Sequence, residues 1–226
     1  YLALRGSNCR QSNWHKNKLN IVNLLVRPGM KILDLGTGSG NFELKFAGVA
    51  KEIWGVDYNQ QAIDFLKLQL KRRKIRSVFL KKLDLTKLQK LEKKNYFDLI
   101  VMIDVIEHIK DKALPEIVKN MKGMLKKEGQ ICVITPNYGG LWRLTEWIMD
   151  RLRLAPTMGE EQHVSAFNAK KLVRLFAREG LKTEDIRTFN SWSFLLFPLA
   201  NDWLHDLEVR SGWLGGNLLY GVFVRR

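Results

Sequence analysis

The sequence has only two cysteines, no internal repeat or low-complexity tract, and no apolar run near the roughly 18 residues that a membrane-spanning helix needs. These shortages exclude a disulfide scaffold and a transmembrane protein. Cys9 and Cys132 show neither metal-ligand nor redox spacing, and Cys132 lies inside an apolar run, so it reads as a core residue. Sparse cysteine fits a reducing compartment, and the expected location is cytoplasmic, with contact at a membrane surface allowed. The chain opens at Tyr1 rather than a methionine, so any upstream targeting peptide would lie outside the sequence. Acid is also in deficit: 23 Asp and Glu face 38 Lys and Arg, a formal net charge of +15. Such an excess favours nucleic acid, an anionic membrane or an acidic ligand. It is local, since Lys67 to Lys94 holds twelve Lys or Arg against only Asp84 and Glu92. A run of this kind is most often a solvated helix face and its following loop.

What is present is a chain of 226 residues, 46% hydrophobic and 27% charged, enough for one domain (1–226) that buries its core without cross-links. Short apolar runs alternate with amphipathic segments, the pattern of a parallel sheet flanked by helices. Strands are expected at Met30–Leu35, Glu52–Val56, Ser77–Lys82, Phe97–Ile103 and Gln130–Thr135. Helices are expected at Asn41–Val49, at Gln60–Arg73 with Ala62, Phe65, Leu66 and Leu70 on one face, and at Leu114–Leu125 with Pro115 in its first turn. The first 135 residues thus form one doubly wound half, preceded by an N-terminal helical cap over 1–28. Beyond Pro136 come helices Leu141–Arg153 and Asn168–Arg178, the latter ending at Gly180, and strands Leu181–Phe189 and Leu218–Val224. The segments 136–166 and 190–216 read as insertions on the substrate side. The second is too long for a structureless loop, so a helix is expected inside it.

Asp34-Leu35-Gly36-Thr37-Gly38-Ser39-Gly40 stands where the first strand turns into the first helix, and its glycines let backbone approach a ligand that a Cβ would exclude. A dinucleotide fingerprint would want a third glycine at the position held by Asn41, so the G-x-G-x-G run, with an acid just ahead of it, argues against NAD. Asp57 ends the second strand, where a carboxylate can accept from two ribose hydroxyls. Asp84 ends the third, where one can accept from an adenine amino group, and a helix N-cap role competes for Asp34 and Asp84.

Through Lys31-Ile-Leu-Asp-Leu-Gly-Thr-Gly-Ser-Gly40, Val56-Asp-Tyr58, Leu83-Asp-Leu85 and Phe97-Asp-Leu-Ile-Val-Met-Ile-Asp104 the sequence resembles the class I S-adenosylmethionine-dependent methyltransferases. The resemblance implies an α/β fold, a Rossmann-like doubly wound sheet of seven strands in the order 3-2-1-4-5-7-6 with the last strand antiparallel and helices on both faces. It implies S-adenosylmethionine as cofactor, with Gly36, Thr37, Gly38 and Gly40 facing its methionine part and Asp34 holding the turn or the amino group. Asp57 would meet the ribose and Asp84 the adenine, and Tyr58, Leu85 and Asp104 would also be cofactor-binding. Trp14 and His15, in the expected cap helix, read as packing.

The fourth strand runs into Asp104-Val105-Ile106-Glu107-His108, whose i, i+3 and i+4 positions share a face if the segment turns helical. With His163, after Glu160 and Glu161, this set suits Mg²⁺, Mn²⁺, Fe²⁺ or Zn²⁺ and leaves sites for substrate oxygens. It is similar to the E-x-x-E-H of ubiquinone-biosynthesis O-methyltransferases and to the metal site of small-RNA 3′-end 2′-O-methyltransferases, with Asp104 in place of the first Glu. Without metal, His108 or His163 would serve as general base. The absence of an Asn or Asp followed by Pro-Pro and an aromatic after strand four disfavours base N-methylation, and Cys132 is placed wrongly for cytosine C5 chemistry. Methyl transfer to a hydroxyl is the expectation, carbon being the lesser choice. The connection holding Trp192, Phe194, Leu195, Leu196, Phe197, Leu199, Trp203, Leu204 and Leu207 reads as an apolar lid or wall, so the expected acceptor is a quinone precursor, phenol or lipid. An RNA 2′-O-methyltransferase using the basic stretch, and a cofactor-binding module without turnover, are the alternatives.

Overall fold

The computed structural model describes residues 10–151, 163–190, 207 and 216–226. Its elements run α1 (Arg10–Asn23), β1 (Lys31–Leu35), α2 (Asn41–Phe46), β2 (Glu52–Asp57), α3 (Gln60–Arg72) and β3 (Val78–Lys82). A 3-10 helix (Leu85–Leu91) leads to β4 (Phe97–Ile103), and two 3-10 turns, Ile106–His108 and Asp111–Ala113, lead to α4 (Leu114–Met124). Then follow β5 (Leu125–Pro136), α5 (Trp142–Arg151), α6 (Ala169–Arg178), β6 (Lys182–Phe189) and β7 (Leu218–Val224). The sheet has seven strands in the order β3-β2-β1-β4-β5-β7-β6. All neighbours are parallel except β7, which runs antiparallel to both β5 and β6.

The central strands are continuous apolar runs because both faces of the sheet are covered. Side chains alternate between the faces with period two. Leu33, Leu35, Ile100, Met102, Ile131 and Val133 meet Ile117, Val118 and Met121 of α4 and Leu172 and Phe176 of α6 on one side. Ile32, Leu99, Val101, Cys132 and Ile134 meet Leu19, Ile21 and Val22 of α1 and Phe42 and Phe46 of α2 on the other. Cys132 is buried, and burial raises its thiol far above the usual range, so it stays a packing residue.

Several boundaries differ from the sequence expectation. α2 stops at Phe46, where the Val49 and Ala50 amides turn back to the Phe46 carbonyl, three residues short of Val49. On α3 the inward stripe is Ile63, Leu66 and Leu70, at i, i+3 and i+7 on one face, whereas Phe65 is exposed. β5 begins at Leu125 rather than Gln130, its register with β4 slipping between Phe97 and Leu99. The helix expected within 190–216, the apolar side chains there, and Glu160 and Glu161 lie outside the described residues. No described helix is long and apolar enough to cross a membrane.

The topology gathers the C-terminal ends of β1, β2, β4 and β5 at one edge, where an open α/β sheet binds its ligands. α1 is fastened across that edge by the ion pair of Lys18 with Asp104 and by an amide relay behind it. Asn17 Nδ2 donates to Asn190 Oδ1 (3.1 Å), Asn217 Nδ2 to the Asn190 carbonyl (3.0 Å), and Thr145 Oγ1 to Asn217 Oδ1 (2.9 Å). Four segments around that edge are thereby tied through polar groups whose separation would strand their partners.

Candidate active site

The turn after β1 is held open by backbone conformations that suit glycine. Gly36, Gly38 and Gly40 have φ of +88°, +48° and +77°. A Cβ on Gly36 would lie 2.3 Å from Val105 Cγ2 and one on Gly40 2.2 Å from Leu66 Cδ1, whereas one on Gly38 would meet nothing within 4 Å. Two glycines thus allow close packing and the third faces open space. Asp57, at the end of β2, orders the turn: its Oδ2 accepts from the Gly38 amide (2.9 Å) and its Oδ1 from the Asn59 amide (2.8 Å). Each carboxylate oxygen keeps a further lone pair for a ribose hydroxyl. Tyr58 beside it is exposed, as a residue laid against a ligand would be. Asp84 N-caps the 3-10 helix, its Oδ1 accepting from the Thr86 amide and hydroxyl at 2.8 Å each, which holds its carboxyl below the usual range. Both roles considered for Asp84 are compatible, since the cap engages one oxygen; Leu85 follows it, half-buried.

Asp34 is buried beside Glu43, which the sequence reading did not single out. Its signal was available: Glu43 shares the buried face of α2 with Phe42 and Phe46. Burial pushes Asp34 up to about 7, tempered by the Glu43 carboxyl and reinforced by the charge of Asp57. Burial, with Asp34 alongside, pushes Glu43 well above its ordinary value. The two carboxyls share a hydrogen bond when one of them keeps its proton, while Thr37 Oγ1 has no hydrogen-bond partner among the described residues. A buried acid pair beside a glycine cradle fits a ligand that carries an ammonium group. An acid whose folded pKa is raised holds its proton more tightly when folded. The cofactor-free protein therefore loses stability from this pair as pH rises from the ordinary 3.8 of Asp34 through about 7. Glu43→Gln should accordingly gain on the wild type with pH. Its melting temperature relative to wild type should be higher at pH 8 than at pH 5 by roughly 4 °C or more. Equal offsets at the two pH values would show that the carboxyls do not interact.

At the end of β4 three of the four expected ligand residues lie together. Ligand atoms of Glu107, His108 and His163 all lie within 4.8 Å of one another. Asp104 stands outside that group. It takes φ +54°, Val105 after it is not helical, and the 3-10 turn begins only at Ile106, so Asp104, Glu107 and His108 do not share one helical face. Its short carboxylate is instead claimed by Lys18, whose side chain is buried. His15, on the same helix, is kept neutral, its pKa lowered to about 4 by burial and by the Lys18 charge. Neither Lys18 nor its pairing could be read locally, because 86 residues separate the partners.

Glu107 is buried, accepting from Thr135 Oγ1 at 2.9 Å. Burial and the Asp104 charge push its carboxyl up to about 8, a cost that a cation alongside would offset. His108 is exposed, and its ring centroid lies 5.1 Å from that of His163. The segment carrying His163 is brought there by Ser165, whose amide donates to the Glu107 carbonyl (3.0 Å) and whose hydroxyl meets the Ile109 carbonyl (2.7 Å) and Asp111 Oδ1 (2.6 Å). Lys171 braces Asp111 from α6 at 2.9 Å. Two carbonyl-side clips and an ion pair thus hold the His163 segment beside Glu107 and His108.

A family model described as a methyltransferase domain matches residues 10–186. The ubiquinone biosynthesis O-methyltransferase of Nitrobacter winogradskyi is 25% identical over 185 residues, covering 79% of this chain and 64% of that protein. The enzyme of the same name from Bradyrhizobium diazoefficiens is 25% identical over 134 residues, 59% of this chain and 51% of that one. This chain thus spans about half to two thirds of the length of these relatives. The crystal structure of an S-adenosylmethionine-dependent methyltransferase from Archaeoglobus fulgidus superposes with a TM-score of 0.69 at 17% identity, covering 99% of this chain and 98% of that one. The structural likeness bears on the fold.

Proposed function

Because the chain belongs to this methyltransferase-domain family and uses S-adenosylmethionine as methyl donor, we propose that it methylates a hydroxyl of an apolar small molecule, such as a quinone precursor or phenol, with a divalent metal ion held by Glu107, His108 and His163. The observation that carries this reading is the preassembled Glu107, His108 and His163 group at the end of β4, one strand from the glycine turn. The likeness to ubiquinone biosynthesis O-methyltransferases supports hydroxyl as acceptor. Carboxylate and imidazole donors suit a divalent ion and leave coordination positions for acceptor oxygens.

In the transfer, an acceptor oxygen attacks the methyl carbon, the bond from that carbon to sulfur breaks, and its electron pair stays on sulfur. The hydroxyl proton must leave; without metal, His108 or His163 would take it. A bound metal ion would make that proton more acidic. The rest is alignment of oxygen, carbon and sulfur, which Asp57 and the glycine turn serve by fixing one end of the donor while α1 and α5 enclose the other side. RNA is the less favoured acceptor. The basic stretch from Lys67 to Lys94 runs along α3, the edge strand β3 and the approach to β4, away from the β4 and β5 ends where His108 and His163 sit. An apolar acceptor would place the protein in the cytoplasm or at a membrane surface.

Metal analysis of the purified protein, with calorimetric Mn²⁺ titration in the presence of S-adenosylhomocysteine, tests the reading. Stoichiometric binding is expected, weakened about tenfold or more in His108→Ala through loss of one ligand. No binding in either protein would sink metal assistance and leave the histidines as bases. Turnover of RNA oligomers in a salt-dependent manner, with none of catechols or quinone precursors, would overturn the acceptor class.

A further inference from the structure

Gly55 lies inside β2, in register with Asp34 of β1 and Leu80 of β3. A glycine there weakens a strand unless a neighbour needs its space. A Cβ at Gly55 would lie 2.5 Å from Thr37 Cγ2, 2.7 Å from Glu43 Oε1 and 2.8 Å from Leu80 Cδ2. The missing side chain therefore makes room for the Glu43 carboxyl, against the sheet and next to that of Asp34. Thr37 Oγ1, in the glycine turn itself, is buried and has no hydrogen-bond partner among the described residues. Asp57 is the third acid acting on the pair, and among the described residues no cation acts on either carboxyl. Lys45, on the same helix as Glu43, donates instead to Asn20 Oδ1 at 3.0 Å. Two carboxyls in one dry site resist charging together. With Asp34 pushed up to about 7 by burial, the empty pair is largely uncharged below that pH.

We propose that Asp34 and Glu43 form a proton-exchanging seat for the ammonium group of S-adenosylmethionine. Docking releases one proton from the pair to solvent. The other proton stays between the two carboxyls, and the single negative charge left faces the ammonium, with Thr37 Oγ1 accepting a further ammonium hydrogen. Glu43 is a positioning residue here, acting through Asp34. The seat requires the donor assignment but neither the metal ion nor the hydroxyl acceptor. Calorimetry at about pH 6 in buffers of different ionisation heat counts the protons exchanged, below the ordinary α-amino range of about 7.7–8.0, so that the ligand keeps its charge. S-adenosylhomocysteine should release roughly 0.5–1 proton per site from wild type, and its Kd should rise toward about tenfold per unit as pH falls below about 7. 5′-Methylthioadenosine, which keeps the adenosine and the thioether but has no ammonium, should bind without release. Glu43→Gln keeps the shape and offers Asp34 an amide N–H in place of the shared proton. It should cut the release to below about a third of the wild-type value and flatten the pH profile, with a melting curve confirming the fold. Equal release from wild type and Glu43→Gln would overturn the role of Glu43. Equal release with the two ligands, or none with S-adenosylhomocysteine, would overturn the seat, and this comparison needs only wild type. Absence of any S-adenosylhomocysteine binding would overturn the seat together with the donor.

Discussion

Asp57→Ala is expected to weaken S-adenosylhomocysteine binding by about 3–5 kcal/mol, roughly 100-fold to several thousandfold in Kd. Two losses combine. If Asp57 holds the ribose as proposed, its hydroxyls lose charge-assisted acceptors worth about 1.5–3 kcal/mol each. The Gly38 and Asn59 amides, now bonded to Asp57 at 2.9 and 2.8 Å, lose the anchor that sets the turn. Asp57→Asn separates the two, since it keeps one acceptor oxygen of the same shape and should retain much of the turn while giving up the charge; it should fall between wild type and Asp57→Ala. Calorimetry with a melting curve on each variant distinguishes lost binding from lost fold. Affinity in Asp57→Ala within threefold of wild type would mean that the ribose is held elsewhere.

Gly40→Ala should destabilise the protein by about 2–5 kcal/mol. The new methyl would sit 2.2 Å from Leu66 Cδ1 and 2.8 Å from Cδ2, and Leu66 is fully buried, so the side chain has nowhere to retreat. Overpacking of this kind costs about 1–3 kcal/mol, and φ of +77° adds about 1–2 kcal/mol for a residue with a Cβ. Trimming the obstacle in a Gly40→Ala, Leu66→Ala double variant tests the account. The clash disappears while the backbone penalty and a new cavity remain, so the two losses should add to less than their sum. Strict additivity in urea melts would mean that the methyl and Leu66 never meet.

The sheet was legible because its central strands are buried on both faces and so appear as short apolar runs between polar or charged residues, as in Leu99–Ile103 and Ile131–Ile134. The glycine turn and Asp57 were legible because one strand-turn-helix unit carries both the close approach and its anchor. The shared face expected of Asp104, Glu107 and His108 does not form, because i, i+3, i+4 spacing speaks only for a helix and the chain leaves β4 through a left-handed residue. Lys18, Glu43 and Ser165 act through partners brought close by topology. The contact of Ser165 with Asp111 spans 54 positions and the reach of Lys18 to Asp104 spans 86, distances over which spacing has no meaning.

The placing of β7 has a consequence for synthesis. Among the described residues β6 has β7 as its only strand neighbour, and β7 lies between β5 and β6 although it follows both in the chain. On the ribosome β1 to β3, with the glycine turn, can pair as they emerge, each strand finding a partner already made. β6 cannot: it leaves the exit tunnel as an unpaired edge and stays one until Leu218–Val224 arrives to fill the gap. The donor half of the enzyme is thus completed early and the acceptor half last. Translational pausing after β6 would prolong exposure of a bare strand edge, the state from which nascent chains aggregate or are captured by chaperones.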